Sequence, residues 1–174
     1  LFLGMLGMHG TYEANNAMHD CDLMINIGAR FDDRITGRLD KFSPQSKKIH
    51  IDIDPSSINK NVLVDIGLVG DAGKILSDIN RRLNDINFSS LNTERSNWWK
   101  TIKKWRKKNC LNFKNSKNII KPQHALKVLN EKIKKRDFYI TTEVGQHQMW
   151  AAQFINFEKP NRWMTSGGLG TMGY

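Results

Sequence analysis

The segment at 28–34 (GARFDDR) carries the densest group of reactive side chains in the sequence, with two arginines and two aspartates within five residues. A guanidinium binds phosphate, and a neighbouring carboxylate accepts a sugar hydroxyl, so this set can hold a phosphate and a sugar together. An ion-paired surface turn would have the same composition. The pair Asp32 and Asp33 could also suggest a metal site, but no further set of ligands supports one.

Four other segments suit a bound anion or cofactor. Their glycines and N–H groups permit close approach of backbone to a ligand, and an acid at a strand end accepts ribose hydroxyls. They are 4–11 (GMLGMHGT), 52–54 (DID), 143–150 (EVGQHQMW) and 166–173 (SGGLGTMG). The segment at 4–11 does not match G-x-G-x-x-G, which excludes the dinucleotide-binding fingerprint. His147, in the segment at 143–150, is a hydrogen-bond donor to phosphate, an acid/base group or merely a hydrogen-bonded side chain. Together these segments indicate a nucleotide-type cofactor site, and no more.

The elements that position these segments read as an open α/β sheet. Near-continuous apolar runs predict parallel strands covered on both faces, at 22–27, 48–53, 62–69 and 138–142. Apolar spacing predicts helices at 12–20, 72–87, 96–108 and from Pro122 onward, with Asp71 capping the second of them. Ligands of such sheets lie beyond the carboxyl ends of the strands, where the five segments fall.

Composition and charge argue against a nucleic-acid-binding protein and against a membrane-spanning one. The net charge of +10 comes from residues 71–136, with 18 Lys/Arg against 5 Asp/Glu, and a solvated surface explains this better than nucleic-acid binding. On helix 96–108 the tryptophans form one stripe opposite the lysines, which predicts docking onto a domain. No apolar run spans a bilayer, and two distant cysteines favour a cytoplasmic or organellar setting. The start lacks a methionine and the end lies in a glycine-rich loop, so we expect a fragment.

Six segments in this order resemble acetohydroxyacid synthase (acetolactate synthase), a thiamine-diphosphate enzyme family of branched-chain amino acid biosynthesis. They are GMLGMHGT, NIGARFDDRITG, HIDIDPSSINKN, VGD, VGQHQMWAAQF and TSGGLGTMGY. The resemblance implies α/β, parallel-sheet three-layer domains. Residues 1–85 would be the C-terminal part of a central FAD-binding domain, 86–121 a linker with the basic helix, and 122–174 the start of a thiamine-diphosphate-binding domain.

The resemblance also implies cofactor contacts. For FAD they would be Leu6, Gly7, Met8, His9, Gly28, Ala29, Arg30, Phe31, Asp32, Asp52, Ile53, Gly70, Asp71, Gly167 and Gly168. For thiamine diphosphate they would be Val144, Gly145, Gln146, His147, Gly170, Thr171 and Met172. Met172 would help to hold the cofactor in its bent conformation, and Asp33 and Arg34 would lie at the substrate channel. Position 143 more often holds Asp or Gly in the family, whereas this chain has Glu143.

The implied reaction is decarboxylation of pyruvate and condensation of its two-carbon unit with pyruvate or 2-oxobutyrate. FAD would be structural, and Mg²⁺ would be held by ligands beyond Tyr174. The glutamate that activates the cofactor would lie outside the fragment, so the fragment alone should be inactive. The expected partners are the 2-oxo acids, a homodimer or homotetramer and a small regulatory subunit, with no nucleic acid and no membrane. The alternatives are a related carboligase or decarboxylase, and a non-catalytic FAD- or nucleotide-binding remnant.

Overall fold

The computed structural model describes residues 2–174, which form two compact units divided between Cys110 and Leu111. The first unit contains α1 (Tyr12–Asp20), β1 (Leu23–Ile27), α2 (Asp33–Thr36), β2 (Lys47–Asp52), β3 (Ile66–Val69), α3 (Ala72–Leu83) and α4 (Asn92–Arg106). The second contains α5 (Pro122–Ile133), β4 (Ile140–Thr142), α6 (Gln146–Phe154) and β5 (Trp163–Thr165). Three short 3-10 turns, Leu39–Lys41, Pro55–Ser57 and Ser89–Leu91, lie in the first unit.

The strands of the first unit form a parallel sheet in the order β1-β2-β3. Ile25 pairs with Ile49, which pairs in turn with Ile66, so the apolar runs are in register. The predicted α/β class with parallel sheets is therefore confirmed. The third strand begins later than predicted because Asn59 Oδ1 accepts the N–H of Val64 at 2.9 Å, which holds the preceding residues in a turn.

Side-chain caps fix the starts of two helices in this unit. Thr11 Oγ1 accepts the N–H of Ala14 at 3.2 Å, and Asp71 Oδ1 accepts the N–H of Lys74 at 2.9 Å. Each bond satisfies a donor that has no partner within its own helix. The predicted Asp71 cap is confirmed, and α1 has the predicted bounds. Helix α3 ends at Leu83, four residues earlier than predicted, with Asn84 as its C-cap.

The centre of the first unit lies at β2. Ile51 and His50 are fully buried, and the Phe31 ring packs edge-on against both Phe42 and the His50 imidazole. Lys48 is buried as well, although it is a lysine. Buried charges need hydrogen-bond partners, and Lys48 Nζ donates to carbonyl oxygens of the preceding turn at 2.9 and 3.0 Å.

Strand β1 differs from the expectation of cover on both faces. Leu23, Ile25 and Ile27 are each between 44% and 50% exposed, whereas the alternate residues of the strand are half-buried. The physical reason is that β1 is an edge strand within residues 2–174 and borders an open groove that Leu23 and Ile25 line.

Helix α4 packs on α1 within the first unit, although it falls in the predicted linker at 86–121. Ile102 is 2% exposed, Arg106 approaches Glu13 at 3.8 Å, and the Cys110 thiol accepts the N–H of Tyr12 at 3.2 Å. Because of these contacts, the first unit extends as far as Cys110. The predicted docking of the tryptophan-bearing face is confirmed, since the lysines of α4 are exposed and Trp98, Trp99 and Trp105 are half-buried.

The second unit is smaller and contains a parallel pair, β4 and β5, with α5 packed on α6. Pro122 begins α5 as predicted, at a position where its missing N–H costs nothing. Asn130 is buried, and its Oδ1 accepts the N–H of Asn156 at 2.9 Å, which joins α5 to the segment after α6. Two apolar residues of α5, Val128 and Leu129, remain over 40% exposed. None of the helices in residues 2–174 is long and apolar enough to cross a membrane.

Asp137 before β4 is the centre of an ion-pair network. Arg162 Nε donates to it at 2.7 Å and Lys159 Nζ at 3.1 Å, and these two bonds lower the pKa of Asp137 to about 2. Because the folded pKa lies below the ordinary 3.8, the stabilisation is present above about pH 4 and is lost as the pH falls towards 2. We expect Asp137→Asn to lower the thermal midpoint of the second unit at pH 7 and to have no effect near pH 2. The exposed Glu158→Gln is the control, and an equal pH profile for both variants would contradict the assignment.

Candidate cofactor sites

Three of the predicted segments meet at one edge of the first sheet. Gly28 follows β1 and donates its N–H to Ile51 O at 2.8 Å, while Gly70 follows β3 and donates to Asp52 O at 2.9 Å. The carboxyl ends of the three parallel strands therefore lie side by side. The structure thus brings together the residues predicted to contact FAD after β1, β2 and β3.

The loop at 4–11 joins the same edge through backbone contacts. Met8 donates its N–H to Arg34 O at 2.9 Å, which sets residues 6–9 beside the segment at 28–34. Asn15 on α1 holds Gly7 from both sides, accepting its N–H at 2.8 Å and donating to its carbonyl at 2.9 Å. Leu6 and Met8 have exposed side chains at this edge.

Arg30 and Asp32 form an ion pair at 3.4 Å in the segment at 28–34. Asp32 also caps α2 by accepting the N–H of Arg34 at 3.1 Å. These contacts fit the ion-paired turn, yet the Arg30 side chain is 60% exposed and free to reach an anion. The Phe31 side chain is buried, so a contact of Phe31 with a ligand would come from its backbone.

The remaining predicted FAD residues of this unit differ in how exposed they are and in whether they already make hydrogen bonds. Ile53 is 74% exposed just beyond β2, and Asp52 accepts the N–H of Asp54 at 2.9 Å. Asp71 is engaged as the cap of α3. The ligand-binding roles of these residues stay predictions.

Two open grooves flank the segment at 28–34 and share Arg30, Phe31 and Asp32. One has a volume of about 570 Å³, includes Leu6 and Ala29, and is largely apolar. The other has a volume of about 460 Å³ and includes Asp33. Asp33 and Arg34, the predicted substrate-channel residues, are exposed. Residues 2–174 contain no group of three or more His, Cys, Asp or Glu placed to hold a metal ion.

The second unit has its own edge of the same kind. Loop 143–145 follows β4, loop 166–174 follows β5, and the two strands are parallel, so both loops leave the same side of the pair. Helix α6 begins at Gln146 after Gly145 and has no side-chain cap. The N–H groups of Gln146 and His147 have no intrahelical acceptor, and an uncapped helix start of this kind suits an anion.

A partly buried hydrogen-bond network braces this edge. Thr142 Oγ1 bonds Thr165 Oγ1 at 2.9 Å, and Gln148 Nε2 donates to Thr165 at 2.6 Å. Trp163 Nε1 donates to Thr142 at 3.0 Å. The network connects β4, β5 and α6, and therefore fixes where α6 starts relative to both loops.

Loop 166–174 is anchored by two hydrogen bonds. Ser166 Oγ accepts the N–H of Thr171 at 2.9 Å, and Glu143 Oε2 accepts the N–H of Gly173 at 2.6 Å. Met172 is 68% exposed on this loop. The predicted FAD residues Gly167 and Gly168 lie here too, and a side chain added at either would meet nothing within 4 Å.

Sequence reasoning missed the polar side chains that hold these loops. Asn15 clamps Gly7, Asn61 Nδ2 donates to the carbonyl of Arg30 at 3.0 Å, and Gln148 is 6% exposed within the threonine network. Asn15 and Gln148 lie on helices, where an amide among apolar neighbours is a weak signal of a buried hydrogen bond. No signal in the sequence singles out Asn61.

Comparison with known families finds two matches, one in each unit of the chain. Residues 1–79 match the thiamine pyrophosphate enzyme family, central domain. Residues 143–174 match the thiamine pyrophosphate enzyme family, C-terminal TPP binding domain. Each match covers part of one of the two units that carry the candidate sites.

Individual relatives are similar along almost the whole chain. The acetolactate synthase large subunit of Haemophilus influenzae is 49% identical over 173 residues, which is 99% of this chain and 30% of that protein. The acetolactate synthase isozyme 3 large subunit of Escherichia coli is 48% identical, and the large subunit of Porphyra purpurea is 44% identical. These two alignments cover 99% of this chain and 30% and 28% of the relatives. The chain thus spans about 30% of the length of its relatives, and it belongs to the acetolactate synthase large-subunit family of thiamine pyrophosphate enzymes.

Proposed function

We propose that this chain is a segment of an acetolactate synthase catalytic subunit, which joins the two-carbon unit of pyruvate to pyruvate or 2-oxobutyrate. The observation that carries the proposal is the uncapped start of α6 between two loops at the carboxyl ends of β4 and β5. Such an edge accepts a diphosphate, because its backbone N–H groups are free and no side chain occupies the helix start. The relatives' shared name supports the choice of reaction.

Thiamine diphosphate, when bound, supplies the carbanion chemistry of decarboxylation and carbon–carbon bond formation. The chain contributes the residues that hold it. The N–H groups of Gln146 and His147 meet the diphosphate, with Val144 and Gly145 leading into the helix, and Gly170, Thr171 and Met172 face it from the second loop. The exposed Met172 side chain is available to support the cofactor.

FAD is proposed for the edge of the first sheet. The exposed guanidinium of Arg30 fits a phosphate, and the exposed apolar side chains of Leu6, Met8 and Ile53 fit a planar ring or its chain. Asp33 and Arg34 line the substrate channel, where a guanidinium orients the carboxylate of a 2-oxo acid. Mg²⁺ and the cofactor-activating glutamate belong to parts of the subunit outside this chain.

We extend the proposal to the domain limits, the oligomeric assembly and the cellular location of the protein. Residues 1–85 belong to the FAD-binding domain, and residues from 122 onward to the thiamine-diphosphate-binding domain. Helix α4 lies between these limits and packs on the first unit. The catalytic subunit assembles as a homodimer or homotetramer with a small regulatory subunit, in the cytoplasm or an organelle.

The test is acetolactate formation from pyruvate by the complete protein, with and without thiamine diphosphate, Mg²⁺ and FAD. Acetolactate that depends on these cofactors supports the proposal. A folded protein that releases acetaldehyde would instead be a related decarboxylase, and one that binds FAD without turnover would be a non-catalytic relative. Gln146→Ala is expected to raise the thiamine diphosphate requirement, and an unaltered cofactor titration would count against a side-chain contact from Gln146 to the cofactor.

Arg30→Ala is expected to weaken FAD retention by about tenfold or more, because a charge-assisted phosphate contact contributes about 1.5–3 kcal/mol. The measurement is bound flavin per protein after desalting. Arg38→Ala is a matched control, since Arg38 pairs with Asp40 two residues on, as Arg30 pairs with Asp32, but lies outside the candidate site. Equal flavin content in both variants would contradict the assignment of Arg30 as a phosphate contact of FAD.

A further inference from the structure

Glu143 connects the two loops of the second unit. It lies directly after β4, and its Oε2 accepts the N–H of Gly173, near the far end of loop 166–174, at 2.6 Å. The Glu143 side chain is half-buried rather than free in solvent. A carboxylate that accepts a backbone N–H forms one of the stronger hydrogen bonds available to a loop.

We propose that Glu143 is a positioning residue, which fixes loop 166–174 in the conformation that receives the diphosphate cofactor. The inference rests on the proposed function, because it concerns the same site. It adds a residue that touches the loop rather than the cofactor, and it gives a reason for the longer acid that this chain carries at position 143.

Within residues 2–174, fewer contacts hold the far end of this loop than hold its start. The bond from Thr171 to Ser166 is local and closes the loop on itself. Leu169 and Met172 are 91% and 68% exposed, so side-chain packing does not anchor them. The start of the loop is held because it directly follows β5, where Thr165 is hydrogen-bonded to Thr142. The bond to Glu143 therefore joins the far end of the loop to the β4 edge, one residue from Met172.

Charge alone predicts the opposite effect of Glu143. A carboxylate beside a diphosphate repels it, and a carboxylate that occupies a backbone N–H competes with the anion for that donor. If repulsion or competition dominated, removal of Glu143 would tighten cofactor binding. The Glu143 carboxylate is directed at Gly173, and α6 gains no cap from it, so the donors at the helix start stay available. The geometry thus favours positioning, and the sign of the effect distinguishes the two cases.

The experiment compares Glu143→Ala and Glu143→Gln in the complete protein. Glu158→Ala and Glu158→Gln are matched controls, because Glu158 is an exposed glutamate of the same unit. Two quantities are measured: the hydrogen-exchange rate of the Gly173 amide without cofactor, and the thiamine diphosphate dissociation constant in the presence of Mg²⁺, from tryptophan fluorescence. We expect Glu143→Ala to raise both by about tenfold. Glu143→Gln keeps a neutral acceptor and should give intermediate values, while the Glu158 variants match the wild type.

Faster exchange at Gly173 with an unchanged or smaller dissociation constant would overturn the inference and leave the proposed function intact. Unchanged exchange would overturn it as well, since the bond would then not hold the loop. A wild-type protein that fails to bind thiamine diphosphate would overturn the proposed function, and the inference with it. Should Glu143→Ala fail to fold, Glu143→Gln decides, because it alters charge and bond strength but hardly changes size.

Discussion

Gly7→Ala is expected to destabilise the first unit by about 2–5 kcal/mol, as the sum of a left-handed backbone conformation and an overpacked contact. Gly7 has a φ of +86°, and a Cβ at this position would overlap the carbonyl oxygen of Arg34. The side chain would push the loop at 4–11 away from the segment at 28–34 and break the bond from Met8 to Arg34. Urea unfolding measures the loss of stability, and bound flavin measures the loss of the site.

Gly28→Ala separates the two causes of that effect. Gly28 also has a positive φ, +63°, but a Cβ there would meet nothing within 4 Å. It should therefore lose only the conformational part, about 1–2 kcal/mol. Equal losses for the two variants would mean that the contact between Gly7 and Arg34 contributes nothing.

Ile51→Ala is expected to cost about 2–5 kcal/mol, because it removes a fully buried side chain from the central strand of the sheet and leaves a cavity. Ile51 lies between Ile27 on β1 and Leu68 on β3, so the cavity would open in the middle of three strands. The measurement is the urea midpoint of the first unit, followed by far-ultraviolet circular dichroism.

Ile53→Ala makes the same chemical change two residues further along the chain, where the side chain is 74% exposed. Its expected cost is below about 0.5 kcal/mol. A large loss at Ile53, or a small one at Ile51, would contradict the position of the core described above.

The local elements were predictable because their signals are local. Thr11 and Asp71 are good N-caps, Pro122 suits a first turn, and the apolar runs of β1 and β2 are typical of parallel strands. The strand order was not accessible in this way. It depends on crossover contacts between residues far apart in sequence, such as Gly28 with Ile51.

The sequence was enough to predict which segments form the candidate sites, but not how their side chains are arranged in space. The motif at 28–34 showed which side chains could bind a phosphate, yet the sequence could not tell that Phe31 turns into the core while Arg30 stays exposed. Small differences in burial decide such orientations, and they arise from the packing of Phe42 and His50. The bond between Glu143 and Gly173 spans 30 residues and leaves no trace in composition or period.

The open strand β1 has a consequence for colloidal behaviour. Within residues 2–174, its exposed leucine and isoleucines lie along an edge whose main-chain donors and acceptors have no partner strand, and such edges are templates for pairing with another chain. The net charge of +10 opposes that encounter, because like-charged molecules repel one another at low ionic strength. Added salt shortens the range of the repulsion while leaving the apolar edge unchanged. The solubility of this chain should accordingly fall as the salt concentration rises, and stability measurements on it are comparable only at one ionic strength and one protein concentration.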